Sequence, residues 1–329
     1  MCQPDRRENP GVAEPGDDDP FAAHASHAIR RVGPMSIRTG AVFRPDFPPA
    51  SLRTVAAAAD AAGTDELWLW EDCFQQGGVA QAAVALSASE RLVVGVGLIP
   101  APLRNVVSTA MEFATLEAMF PGRIRIGVGH GIQDWMRQAG AAVASPMTLL
   151  REYVLALRAL FAGETVTVTG RYVQLSEVAL DYAPPQRLPV LIGGTGVKTL
   201  RLAGEIADGV ILDSGYTRTS VGAALAHVAA GRAGRSDPFD TVGFIACAPG
   251  EDAAAQLAQK AAASGLAPED GFGVGGTATD IATGLKPYLD AGLSTPVLQP
   301  LGAVDTMTEF VAVCGEVASR IDSVVDQGI

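Results

Sequence analysis

Short runs of β-branched and aliphatic residues alternate along this chain with longer segments whose apolar positions recur every three to four residues. The short runs are strand length and the long ones helix length. Strands are expected at 37–43, 66–70, 92–98, 123–128, 189–192, 209–212, 241–247 and 295–299. Helices are expected at 49–62, 79–89, 105–119, 145–161, 197–207, around 220–232, 253–264, 280–291 and 307–325. The clearest punctuation lies in the run EFATLEAMFPGRIRIGVGHG, from Glu112 to Gly131. There Phe120-Pro121-Gly122 stops a helix, because proline cannot continue it and glycine takes the turn conformation. The rhythm breaks once. Residues 165–175, with Gly170 in the middle, read as a hairpin inserted between strands four and five.

Eight strands alternating with helices over about 290 residues is the count of a (β/α)8 TIM barrel, which typically needs ~250. A doubly wound open sheet is the structural alternative, and it lacks the expected GxGxxG after the first strand. Residues 1–34 carry Pro10, Pro15, Pro20 and an Asp17-Asp18-Asp19 run with little periodicity, so they read as a disordered acidic tail before a barrel domain at 35–329. No signal-peptide core precedes Met35, which stands as a candidate natural start.

Composition narrows the function classes. The net charge of −12 argues against nucleic acid or an anionic membrane as partner. No apolar run approaches the ~20 residues of a membrane helix. Cys2, Cys73, Cys247 and Cys314 are widely spaced, which fits a reducing cytoplasm. Only His130 and His227 lie outside the tail, which argues against a multi-histidine metal site.

In a barrel the chemistry gathers at the C-terminal strand ends. Gly129, His130 and Gly131 end the fourth strand, and Gly193, Gly194, Thr195 and Gly196 end the fifth, opening into a helix with Lys198 one turn in. Helix N-termini favour anions, so this reads as a phosphate site; the same glycines also serve a tight turn with no ligand. Glu71, Asp72 and Cys73 end the second strand, where one carboxyl is a candidate for proton transfer and the other for a cap. Cys73 has no histidine near it in sequence and reads more readily as a packed side chain than as a nucleophile. His130, between glycines, reads as a ligand contact, and His227, in an alanine-rich helix, as structural or exposed.

Together the EDCF stretch at 71–74, Arg104-Asn105, the ATLEAMFPGRIRIGVGHG run, Arg151-Glu152 with LRALFAGE behind it, and LIGGTG…LRLAGEIADGVIL resemble the luciferase-like monooxygenase superfamily. Within it they look most like the actinobacterial oxidoreductases that use coenzyme F420, over about residues 37–301. The resemblance implies an isoalloxazine-type ring in the barrel mouth, backed by a bulge, often with a non-proline cis peptide, at Gly97, Leu98 and Ile99. It implies phosphate contacts from the fourth-strand glycines and 193–196, and a ring contact from Asp72. It also implies a homodimer and a flavin or F420 reductase supplying reduced cofactor.

Several deazaflavin relatives carry an Asp-His pair where this chain has Asp72-Cys73; either the proton role has moved to Glu71 or His130, or no such proton is needed. The expected activity is hydride transfer between F420 and a small unsaturated or carbonyl substrate. Trp68, Trp70, Phe74 and Trp135 are expected to wall the pocket, with Trp68 or Trp70 facing the helices. The alternatives are a two-component monooxygenase using reduced FMN and oxygen, and a cofactor-binding protein without turnover. A sugar phosphate is disfavoured, since no basic cluster is visible beyond Lys198 and Arg218.

Overall fold

The computed structural model describes residues 37–326. The tail expected over 1–34 lies outside the described residues. The ring runs through β1 (Gly40–Phe43), β2 (Glu66–Leu69), β3 (Val93–Pro100), β4 (Ile124–Gly129), β7 (Val190–Gly193), β8 (Gly209–Leu212), β9 (Asp240–Pro249) and β11 (Thr295–Pro300). All neighbours are parallel, and the pairing of β8 with β9 closes the sheet on itself. That pairing settles the architecture as a (β/α)8 barrel and removes the open-sheet alternative, which would leave two edges.

The helices that follow the strands are α1 (Leu52–Ala62), α2 (Gly78–Ser87), α3 (Val106–Met119), α5 (Pro146–Phe161), α6 (Val197–Ile206), α7 (Val221–Gly231), α8 (Ala253–Ala263), α9 (Ala278–Asp290) and α10 (Met307–Asp326). The expected hairpin is present as β5 (Val166–Thr169) and β6 (Gln174–Val178), antiparallel and between β4 and β7. Its turn is pinned by Glu152 of α5, whose carboxylate accepts the amides of Arg171, Tyr172 and Val173. Two elements were not visible in the sequence. A short α4 (Gln133–Gln138) follows β4, and β10 (Val274–Gly276) pairs with the overhanging end of β9 inside the glycine-rich loop. Both are too short to carry a periodic signal, and β10 exists only because β9 offers a free edge.

Strand alternation sorts the side chains into two apolar layers. Leu67 and Leu69 point outward into the large core between strands and helices. Trp68 points inward with Val42, Leu191, Ile211, Val242, Phe244 and Val297, and Trp70 and Leu98 pack on that inner cluster. Trp68 and Trp70 therefore share the barrel interior, correcting the expectation that one of them faces the helices: residues two apart on a strand lie on one side. The interior has room for the Trp68 indole because Gly95 lies opposite it; a methyl there would collide with the ring.

The N-terminal end of the barrel is closed by charge. Glu66 accepts hydrogen bonds from Arg125 Nη1 at 2.8 and 3.0 Å and from Trp68 Nε1 at 2.8 Å, and lies 3.3 Å from Arg38. Arg125 Nη2 donates to Asp240 at 2.6 Å. Burial pushes the Glu66 carboxyl up, but the Arg125 and Arg38 charges and its hydrogen bonds bring it below the usual carboxylate value.

Candidate active site at the barrel mouth

The second strand's exit separates two carboxylates that are adjacent in sequence. Glu71 points away from the mouth, where Arg104 Nε and Nη2 donate to its two oxygens at 2.8 and 2.7 Å, and Gly78 N–H donates to it at 2.7 Å. Arg104 continues to Glu112 at 2.9 Å, and Asn105 next to it caps α3 by accepting from Val107 N–H. Glu71 and the Arg104-Asn105 pair thus fasten the β2 and β3 loops to the helices, and the Glu71 carboxylate is fully engaged in that task. Asp72 is half-buried, and its carboxyl has no hydrogen-bond or ion-pair partner among the described residues. Burial alone pushes its pKa up. Cys73 is raised by burial and then by the charges of Glu71 and Asp72, so it stays a thiol, as a packed side chain would. The Cys73–Phe74 peptide is cis and the Phe74 ring is exposed.

At β3 the peptide Gly97–Leu98 is cis, and the register with β4 shifts between Val96 and Ile99. This bulge lies where the family resemblance placed it. It turns Leu98 into the barrel over the glycines of the next two ring strands. A Cβ on Gly129 would lie 2.8 Å from Leu98 Cδ1, and one on Gly127 3.0 Å from its Cδ2; a methyl on Gly193 would overlap the same side chain. Gly129 and Gly193 therefore make room for Leu98, and Gly127 chiefly for Ile211, whose Cδ1 a Cβ there would overlap.

The fourth and fifth ring-strand ends do meet. His130 Nε2 lies 3.5 Å from Thr199 Oγ1 on α6, and its Nδ1 lies 3.2 Å from Gly131 O. Gln133 Nε2 donates to the carbonyls of His130 and Gly131, fixing the loop, and Met136 of α4 packs beneath Gly131. Thr195 O accepts from Tyr216 OH at 3.1 Å. Gly196 is the N-cap of α6 and offers no side chain to its first turn, so the amides beside Gly194, Thr195 and Lys198 are open to an anion. Trp135 is half-buried on α4. No hydrogen bond or ion pair joins His130 to Glu71, Asp72 or Cys73 among the described residues.

Three polar residues around the mouth, Asp213, Thr199 and Gln299, were not singled out from the sequence, and Trp70 was expected there only as an aromatic wall. Asp213, after β8, is raised by burial and held by Gly215 N–H at 3.0 Å; Thr199 hydrogen-bonds at the rim. Trp70 Nε1 and Gln299 Oε1 are buried inside the barrel wall with no hydrogen-bond partner among the described residues. A strand-end inventory contains them, but only burial distinguishes an orphaned donor or acceptor from a solvated one.

The closed barrel thus gathers an apolar Leu98 wall, an uncapped helix end and unpaired polar atoms at the C-terminal ends of its strands. The sequence matches the luciferase-like monooxygenase family over residues 26–325, and the chain belongs to that family. A 5,10-methylenetetrahydromethanopterin reductase from Methanolobus tindarius is 26% identical over 304 residues, 88% of this chain and 91% of that protein. An F420-dependent glucose-6-phosphate dehydrogenase from Nakamurella multipartita is 34% identical over 217 residues, 60% of this chain and 62% of its own length. Among solved structures, the coenzyme F420-dependent tetrahydromethanopterin reductase from Methanopyrus kandleri superposes with a TM-score of 0.75 at 20% identity, covering 87% of this chain and 99% of that one.

Proposed function

We propose that the protein is an oxidoreductase that transfers hydride between coenzyme F420 and a small organic carbonyl or unsaturated compound. The observation that carries this is the Asp72 carboxyl, half-buried, unpaired among the described residues and raised by burial, at the exit of β2, the ring neighbour of the strand that carries Leu98. A deazaflavin supplies hydride when bound, and relatives named for F420 dependence lend it support. Leu98 backs the ring, and the open amides at the start of α6 hold the phosphate. Trp70 Nε1 donates to, and Gln299 Oε1 accepts from, the polar edge of what enters, which removes the cost of leaving both unpaired. Asp72, protonated, would give a proton to the substrate oxygen or carbon, the deazaflavin supplying hydride to the neighbouring atom. His130, tied to Thr199, orients the rim.

Fluorescence titration with oxidised F420 and, in parallel, FMN tests the reading. Micromolar F420 binding with FMN about tenfold weaker supports it. Preference for FMN, with oxygen uptake when the flavin is reduced, would make the protein a two-component monooxygenase, a second reading favoured by the family's own description. Binding with no turnover on a broad carbonyl panel would make it a cofactor carrier.

Two finer assignments accompany this. The exposed Val84, Met111 and Met119 on α2 and α3 form the face of a homodimer, which sedimentation at micromolar concentration would show. Free Cys73, Cys247 and Cys314 suit a cytoplasmic enzyme served by an F420 or flavin reductase. Among the described residues no helix is long and apolar enough to cross a membrane.

A further inference from the structure

The sequence shows no basic cluster around Lys198, yet the fold builds one. A groove of about 360 Å³ lies between α5 and α6, lined by Met147, Thr148, Arg151, Lys198, Arg201 and Glu205 among others. Lys198 and Arg201 stand one turn apart on α6, and neither has a hydrogen-bonding or acidic partner among the described residues. Arg151 reaches in from α5 with its guanidinium on Glu205, Nη1 at 2.8 Å and Nη2 at 2.6 Å. Glu205 is thereby neutralised, and the two remaining cations are left unanswered. Arg218, the other basic residue considered from sequence, lies elsewhere, donating to Gly271 O.

The groove adjoins the mouth across one layer of side chains. Its wall residue Met147 accepts from Thr199 Oγ1 at 3.5 Å, and the same hydroxyl meets His130 Nε2. Lys198 belongs to the open first turn of α6, so a ligand phosphate held there has the groove as its next space outward. The volume lies within the ~300–1,000 Å³ of small-ligand sites. In a chain of net charge −12, an anion stays there only through local complementarity.

We propose that this groove holds a polycarboxylate extension that the cofactor carries beyond its phosphate. The inference rests on the F420 reading above. It adds a selection rule, because the oligoglutamyl tail of F420 supplies such carboxylates and FMN ends at its phosphate. Arg201 and Lys198 meet the carboxylates directly, and Arg151, fixed by Glu205, presents its remaining N–H edge across the groove.

The test measures binding of the whole protein to F420 with its glutamyl tail and to the same deazaflavin trimmed back to the phosphate. Tail removal is expected to weaken binding to the wild type by about tenfold. Arg201→Ala is expected to weaken binding of the tailed form by about threefold and leave the trimmed form unchanged, the scale of one exposed charge pair. The salt dependence of the tailed form falls with it. Equal affinity for both forms in the wild type overturns the proposal while leaving the F420 reading intact. Failure to bind either form overturns both. Displacement of tailed F420 by millimolar inorganic phosphate or glucose 6-phosphate, lost in Arg201→Ala, would assign the groove to a phosphorylated substrate and overturn the tail reading. Far-UV circular dichroism of the variant confirms that a changed affinity is not a folding defect.

Discussion

The two ends of the barrel treat buried polar groups in opposite ways. At the N-terminal end Glu66 has Arg125, Arg38 and Trp68 around it, and Arg125 has Asp240 on its other side. At the C-terminal end Asp72, Trp70 Nε1 and Gln299 Oε1 have no partner among the described residues, whereas at the N-terminal end it is a neutral hydroxyl, that of Thr39, that goes unanswered while the charges are paired. Both ends are built from the same alternating strand positions, and Trp68 and Trp70 are only one inward step apart. A buried polar group left unpaired is destabilising, and one that lines the mouth is placed where a ligand can complete it. The paired end holds the ring closed, and the unpaired end is shaped for a ligand.

The largest effect is expected where the pairing is complete. Arg125→Leu leaves Glu66 buried without its main counter-charge and should cost about 3–5 kcal/mol in denaturant unfolding. A loss under about 1 kcal/mol would show that the lower network is ornamental to stability. Next is Asp72→Asn, which removes the proposed proton. Turnover should drop by about 10²-fold with cofactor affinity nearly unchanged. Unchanged kcat would return Asp72 to the role of an ordinary buried carboxyl.

Gly193→Ala pushes a methyl into Leu98. Overpacking of this kind costs typically ~1–3 kcal/mol, and here it should also weaken ring binding, separating the wall from the charges. Native stability with wild-type binding would show that Leu98 yields freely. The smallest change is Trp70→Phe, which keeps an aromatic ring against Phe244 and deletes the orphaned N–H. Stability should stay level or rise by about 1 kcal/mol while substrate KM climbs. A stability loss would mean that the N–H is satisfied within the protein.

The two ends also respond oppositely to pH. Glu66 has a folded-state pKa below its unfolded value, so its stabilisation is present above the unfolded value near 4.5 and is lost as pH falls through the lowered folded one. Asp72 has a raised folded-state pKa, so the folded state binds the extra proton. Its contribution to stability declines as pH rises from the unfolded value of 3.8 through the raised folded one. Urea titrations of wild type and Asp72→Asn should therefore diverge as pH climbs through that window, with the variant the more stable. Parallel curves would remove the asymmetry.

Much of this molecule was legible along the chain. The ring strands and their helices carry strong apolar periodicity, and Pro121-Gly122 ends α3 where its chemistry requires, while Asn105, read as the first helical residue, is its N-cap. The hairpin announced itself through Gly170, whereas β10 and α4 did not, since their stability comes from β9 and from Met136 packing beneath Gly131. The candidate site was legible as a set of strand ends and no further. Glu71 and Asp72 look alike in sequence, and only Arg104, 33 residues away along the chain, separates their roles.

What the sequence determined by itself is the alternation: which residues can be strand, which helix, and which stretches end each one, because these depend on local backbone preference and on apolar spacing. What only the tertiary structure decided is which polar atoms are answered. Closing the ring brought Arg125 to Glu66, Leu98 over Gly129 and Gly193, and Arg151 to the flank of Lys198, while it left Asp72 and the Trp70 indole without a partner among the described residues. Satisfaction of a buried charge or hydrogen bond depends on neighbours distant in sequence, so no local pattern carries it.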